Sequence, residues 1–206
     1  MLFERNIMAA ISLTPREVAE LASVPKRAVE KAIEEKVLAV HKASWNLPFG
    51  RPERRFLGIE SVAYIRLMRR LSGEVSLTVP AKRKLARSMR AYDVPRLKAA
   101  QIEIAPSVTA DVGAAAGEAI ERAERYAKAR EHWIESVAGI KGGLPVIRGT
   151  RLTAHSLAAR VEHGDRIEDL IAENPDLPAE AIEAAIVFAK SHPLPGRPPR
   201  SERATA

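Results

Sequence analysis

The sequence predicts a mainly α-helical chain with short β hairpins, and three observations carry that prediction. Aromatic residues make up only 4% of a chain that is 46% hydrophobic, so the core is expected to be filled by Ala, Leu, Ile and Val. That composition suits packed helices better than a β-sandwich. Residues 154–191 place apolar side chains at helical spacing, interrupted at Gly164 and again at Pro175 and Pro178, which divides them into three short helices. Ahead of them, Gly142-Gly143-Leu144-Pro145-Val146-Ile147-Arg148-Gly149-Thr150-Arg151 sets three glycines and a proline around a β-branched pair, material for turn, strand and turn rather than helix. At 206 residues the chain is long enough for one or two compact units of about 100 residues each.

The first element is announced by Thr14-Pro15-Arg16-Glu17. The Thr14 hydroxyl can accept from the Glu17 N–H while the Glu17 carboxylate reaches back to the N–H of Thr14, and proline suits the first helical position. Val18, Leu21 and Ala22 form its apolar face. Ser23-Val24-Pro25 makes a short turn, and Pro25 opens a second helix to about Glu35 with Val29, Ala32 and Ile33 inward. Ala19 is small where the two helices cross. This order resembles bacterial helix-turn-helix domains, most closely the winged type of the MerR and excisionase groups, whose turn often carries glycine where this chain has Ser23. The resemblance implies that the second helix enters the major groove, with Lys26, Arg27 and Lys31 on its outward face contacting phosphates or guanine edges. Residues 45–55, WNLPFGRPERR, fit the wing, with Arg51, Arg54 and Arg55 near the DNA backbone or minor groove. Phe56-Leu57 and a helix over about 59–71 close this winged helix-turn-helix, residues 1–71.

Ser72-Gly73 breaks the chain and opens a linking and dimerisation region, residues 72–130. Residues 79–91 read as a helix carrying Lys82, Arg83, Lys84, Arg87 and Arg90, a charge run that suits a solvated face, with an accessory phosphate contact as the alternative. Gln101-Ile102-Glu103-Ile104 alternates like a strand, and residues 108–112 supply a second. Residues 113–130 form a long helix whose stripe of Ala116, Ile120, Ala123 and Ala127 suits core or helix–helix contact.

In the rear domain, residues 131–192, His132-Trp133-Ile134-Glu135 is expected to pair with residues 145–148 across the glycine turn, where Gly142, Gly143 and Gly149 serve backbone conformations closed to other residues. Helices follow over 152–162, 167–173 and 179–191, with Asp165 as N-cap of the middle one, making a small β hairpin plus three-helix bundle. The motif GG-x-P-V-I-x-G-T-R ahead of a helical bundle is similar to the hallmark of a small prokaryotic family of unknown function, whose members occur in toxin–antitoxin modules, several as antitoxins. The whole architecture resembles one group of large VapB-type antitoxins.

That resemblance implies two partners: operator DNA, and a cognate PIN-like ribonuclease toxin whose active site clusters carboxylates around Mg²⁺. Residues 193–206 hold four prolines, a glycine and three arginines, too little apolar surface to fold alone. Arg197, Arg200 and Arg203 of this extended tail are candidates to enter the toxin's acidic cleft by charge-assisted contacts, the alternative being a frayed terminus. Arg148 and Arg151 are candidates for toxin contact, against packing on the acidic helices of their own domain. A homodimer within a hetero-oligomer fits a helix-turn-helix that reads two half-sites.

Charge and composition limit the alternatives. The net charge of +7 divides into +5 over residues 1–70, +3 over 71–112, −3 over 113–192 and +2 in the tail, so the two ends are expected to meet different partners. With no cysteine, thiolate zinc sites and cysteine nucleophiles are excluded. The histidines, His41, His132, His155, His163 and His192, show no metal-ligand spacing, and no phosphate-binding loop or nucleophile elbow is present. No enzyme activity, cofactor or metal is expected, and any metal would belong to the toxin. Glu4 and Arg5 interrupt any leader-like run, and no stretch approaches about 18 apolar residues, so a cytoplasmic protein is expected. The alternative function is a MerR-like regulator whose rear domain senses a small ligand, with no toxin partner; a third is an adaptor binding some other protein.

Overall fold

The computed structural model describes residues 11–42 and 55–194, and these are mainly helical, with two antiparallel two-stranded hairpins. Thr14 caps α1 (Pro15–Leu21) through the reciprocal hydrogen bonds that its sequence predicts, and α2 (Lys26–Glu34) follows across the Ser23 turn. Isolated antiparallel bridges join Leu13 to Leu57 and His41 to Phe56, with N···O distances of 2.9–3.0 Å. The predicted wing, residues 45–55, lies outside the described residues except for Arg55. The chain then enters α3 (Ile59–Leu71), which buries seven of its residues, including Val62, Tyr64 and Leu67.

The basic run forms α4 (Val79–Arg90), which turns Leu85, Ala86 and Met89 inward. A short α5 (Val94–Lys98), not expected from periodicity, starts where Asp93 accepts from the Arg96 N–H at 2.9 Å and Pro95 fits the first turn. Next come β1 (Gln101–Ala105) and β2 (Val108–Asp111), paired antiparallel with Ile102 opposite Ala110 on the inner face. The second strand ends one residue earlier than expected, because Asp111 turns to cap α6 (Val112–Trp133) by accepting from the Ala114 N–H at 2.8 Å. Gly113 is required there: a Cβ would lie 2.3 Å from the Lys98 carbonyl oxygen at the end of α5.

α6 is the spine of the molecule, about 33 Å long at 1.5 Å per residue. Its stripe of Ala116, Ile120, Ala123 and Ala127 is buried, which is the core role its spacing suggests, and the helix packs on α3 and on α9 (Ala179–Ser191). The predicted strand at 132–135 is corrected in one respect. His132 and Trp133 complete the last turn of α6, leaving β3 (Ile134–Glu135) to pair with β4 (Val146–Ile147). The burial of Arg130 draws that turn into the helix, and the Trp133 indole donates to Glu180 of α9 at 3.2 Å.

Two further details differ in the rear helices. α7 (Ala154–Glu162) begins two residues later than expected, because Leu152 is held by the hairpin while Thr153 accepts from the Ser156 N–H at 3.0 Å. α8 (Ile167–Glu173) has Arg166, not Asp165, at its N-cap; Asp165 instead accepts from Arg160 Nε at 2.5 Å. Of the apolar positions spaced along residues 154–191, Leu157, Leu170, Ile182, Ala185, Ile186, Phe188 and Ala189 are buried, with Val161, Ile167, Ile171 and Leu177 half-buried around them. Among the described residues no helix is long and apolar enough to cross a membrane.

Candidate nucleic-acid interface

The α1–α2 corner has helix-turn-helix geometry. Ser23 adopts a left-handed backbone conformation with φ of 54°, the conformation that explains why glycine is common at this place in similar turns. The Val24 N–H returns to the Ala19 carbonyl at 2.9 Å, and Ala19 is buried where the helices cross. Arg69 of α3 donates to the Ser23 carbonyl and so ties the turn to the next helix.

What holds α1 against the rest of the chain is a buried ion pair. Glu17 accepts from Arg130 Nη1 of α6 at 2.8 Å, and both side chains are fully shielded from solvent. Tyr126 donates its O–H to the same oxygen, the Thr14 N–H reaches the other at 2.7 Å, and Arg130 Nη2 donates to the Ser12 carbonyl at 3.0 Å. Burial pushes the Glu17 carboxyl up, but the Arg130 charge, His192, the Tyr126 hydroxyl and the Thr14 N–H together hold it below its ordinary value. The sequence shows Glu17 as a capping residue. That Tyr126 and Arg130 face it, more than 100 positions away, had no sequence signal beyond two polar residues on an otherwise apolar face of α6.

On the outward face of α2, Lys26 pairs with Glu30 at 2.7 Å and Lys31 with Glu35 at 3.8 Å. Arg27 is exposed and has no ion-pair partner among the described residues. The hydrogen bond from Lys26 lowers the Glu30 carboxyl, against slight burial, and the charges of Lys26, Arg55 and Arg16 lower it further. Lys26, Arg27 and Lys31 are carried by α2 and Arg16 by the first turn of α1, and the charges of Lys26, Arg55 and Arg16 all reach Glu30. Sequence reasoning passed over Arg16, though an exposed cation in the first helix suits an element that crosses the DNA backbone. Arg51 and Arg54 lie outside the described residues, as do Arg197, Arg200 and Arg203.

In the rear domain the GGLPVIRGTR motif is a backbone device. Gly142, Gly143 and Gly149 all have positive φ, of 67°, 80° and 76°, as their sequence role requires. Ile147 N–H donates to the Leu152 carbonyl at 2.9 Å, Thr150 Oγ1 to the Ile147 carbonyl at 2.8 Å, and Leu152 N–H to Thr150 Oγ1 at 3.1 Å, closing the second turn. Arg148 is half-exposed and pairs with Glu135 of the facing strand at 3.4 Å, not with the acidic helices. Arg151 is exposed and has no ion-pair partner among the described residues.

This hairpin and the helices behind it decide the comparison with known proteins. Residues 134–189 match a family described as a protein of unknown function (DUF433). The matched segment begins at β3 and ends within α9, so it contains the glycine motif and all three rear helices. The chain is also similar to an uncharacterised protein, y4eO, of Sinorhizobium fredii, 42% identical over 79 residues. That alignment covers 38% of this chain and 35% of the relative, so the chain spans about a third of the relative's length. No solved structure matches the chain.

Proposed function

We propose that the chain is a VapB-like antitoxin that represses its own operon. In this reading α2 and the wing bind operator DNA through Lys26, Arg27, Lys31, Arg51, Arg54 and Arg55. The DUF433 domain and the tail bind and inhibit a PIN-like ribonuclease toxin through Arg148, Arg151, Arg197, Arg200 and Arg203. The observation that carries the reading is the joining of two units in one chain: a helix-turn-helix with an outward cationic face, and a domain of a family often found in toxin–antitoxin-like contexts. The protein carries no catalysis in this account, and it acts as a homodimer within a hetero-oligomer.

The main competitor is a regulator whose rear domain senses a small ligand. Among the described residues, one cleft that the rear helices line lies among α1, α6, α8 and α9 and holds about 230 Å³. It is smaller than the roughly 300–1,000 Å³ of typical ligand pockets.

A tagged pull-down from native extract, with full-length chain beside chain truncated after Ser191, tests the proposal. Recovery of a small ribonuclease whose RNA cleavage the full chain blocks, and the truncated chain blocks less well, is the expected result. Full inhibition by the truncated chain would remove the tail from the mechanism. Duplex DNA binding with no protein partner would transfer the function to the ligand-sensing regulator.

A further inference from the structure

The basic stripe on α4 is not absorbed by the interface above, and the fold gives it a definite position. Arg83, Arg87 and Arg90 lie at i, i+4 and i+7, one face of a helix, while Leu85, Ala86 and Met89 on the other face are buried. Arg83 clasps the end of α2: its Nε and Nη2 donate to the Glu35 carbonyl at 2.9 and 2.7 Å. The stripe therefore continues directly from the second helix of the helix-turn-helix. Together with Lys36 it lines a cleft of about 110 Å³ at the junction of α2, α3 and α4. Arg87 and Arg90 are exposed, with no ion-pair partner among the described residues. Among the described residues Glu60 is the one acidic residue lining the cleft, and the charge of Arg90 acts on it.

Geometry and charge indicate what this cleft receives. α2 has nine residues and is about 13 Å long, against a major groove about 12 Å wide. A helix whose first turn sits among the bases therefore brings its last turn to the flanking phosphates. A bare helix C-terminus carries about half a negative charge and would repel them. Here Arg83 covers the terminal carbonyl, and Lys36, Arg87 and Arg90 reverse the sign of the local field.

We propose that the α2–α3–α4 cleft is a second DNA-backbone site, in which Arg87, Arg90 and Lys36 hold phosphates of the strand flanking the groove that α2 enters. The proposal rests on the DNA-binding reading and extends it by a surface outside the helix-turn-helix and its wing. The contact is electrostatic and indifferent to base sequence, so it contributes to salt-dependent affinity rather than to discrimination.

The test is the salt dependence of binding of the full chain to a mixed-sequence B-form duplex of about 30 base pairs, read by fluorescence anisotropy. Arg87→Ala/Arg90→Ala is compared with the wild type, with Arg87→Lys/Arg90→Lys, and with Arg125→Ala/Lys128→Ala. The last pair removes the same charge from exposed positions of α6. Loss of two phosphate contacts flattens the slope of log K against log salt by about 2 units, at about 0.9 per phosphate. The lysine variant is expected to keep the slope, and the α6 variant to change it little. Wild-type binding with an unchanged slope in Arg87→Ala/Arg90→Ala, or an equal loss in the α6 variant, would overturn the cleft assignment and leave DNA binding standing. A wild-type chain that binds no duplex at all would overturn both.

Discussion

Replacing Arg130 by methionine keeps most of the aliphatic volume and removes the charge that faces Glu17. The carboxylate left behind is fully buried, with only the Thr14 N–H at 2.7 Å and the Tyr126 hydroxyl to satisfy it, and the Ser12 carbonyl loses its donor as well. Breaking one side of a buried ion pair costs about 3–5 kcal/mol, because the remaining charge is uncompensated. That is a large part of the roughly 5–15 kcal/mol that stabilises a typical fold. At about 2–4 °C per kcal/mol for a chain of this size, the melting temperature should fall by about 6–20 °C. The assay is urea unfolding followed by circular dichroism, on wild type, Arg130→Met, Glu17→Gln and the double variant. Once Glu17 is a neutral amide the Arg130 substitution should cost far less, giving a coupling energy of about 2 kcal/mol or more. A cost below about 1 kcal/mol for Arg130→Met, or strict additivity of the two substitutions, would refute the assignment of Glu17–Arg130 as the link that holds α1 in place.

Other expectations follow from the same geometry. Ser23→Gly should stabilise the fold by up to about 1 kcal/mol by relieving the left-handed backbone, and Ser23→Val should destabilise it, both visible in the urea midpoint. Glu17 and His192 are both held below their ordinary values, the imidazole chiefly by burial, so the unfolded chain takes up the extra protons. Stability should therefore fall as pH drops below about 6.5 and fall again below about 4.3; unfolding midpoints across that range check this, and His192→Gln should remove the upper phase. Lys26 is already engaged by Glu30 at 2.7 Å whereas Arg27 is not, so Arg27→Ala should weaken duplex binding more than Lys26→Ala, and Glu30→Gln should strengthen it. Anisotropy titrations giving the reverse order would count against α2 as the reading helix.

The elements that could be read from the sequence are those fixed by local chemistry. The Thr14–Glu17 capping box, the glycines of the 142–151 motif and the prolines ahead of α9 each constrain the backbone within a few residues, and each sits where the local rule puts it. The misread positions share one cause. Asp165 is a good local cap, yet Arg160 offers a charged partner and Asp165 takes that instead. His132 and Trp133 have strand-like neighbours, yet Trp133 reaches Glu180 and the helix continues through them. The cationic face of α2 was readable because outward positions on an amphipathic helix follow from period alone. The approach of α4 to the end of α2 was not, since it depends on a tertiary contact between residues 48 positions apart.

The least readable feature is also the one that ties the two ends of the chain together. Glu17 serves locally as the third residue of a capping box and globally as the acid of a buried ion pair, and only the first role leaves a sequence pattern. Its partner Arg130 stands in the last turn of α6, four residues before the first residue of the DUF433 match. α9, the final helix of that domain, packs directly on α1. The α1–α2 unit is thus seated on α6 and α9, which lead into and close the matched segment, and its first helix is held by a charge that cannot be moved without exposing or neutralising its partner. Any displacement of the last turn of α6 must either carry α1 with it or break the Glu17–Arg130 pair. The position of α2, and of the cations it presents, is in this way set by α6, which leads into the matched segment, and by α9, which lies in it.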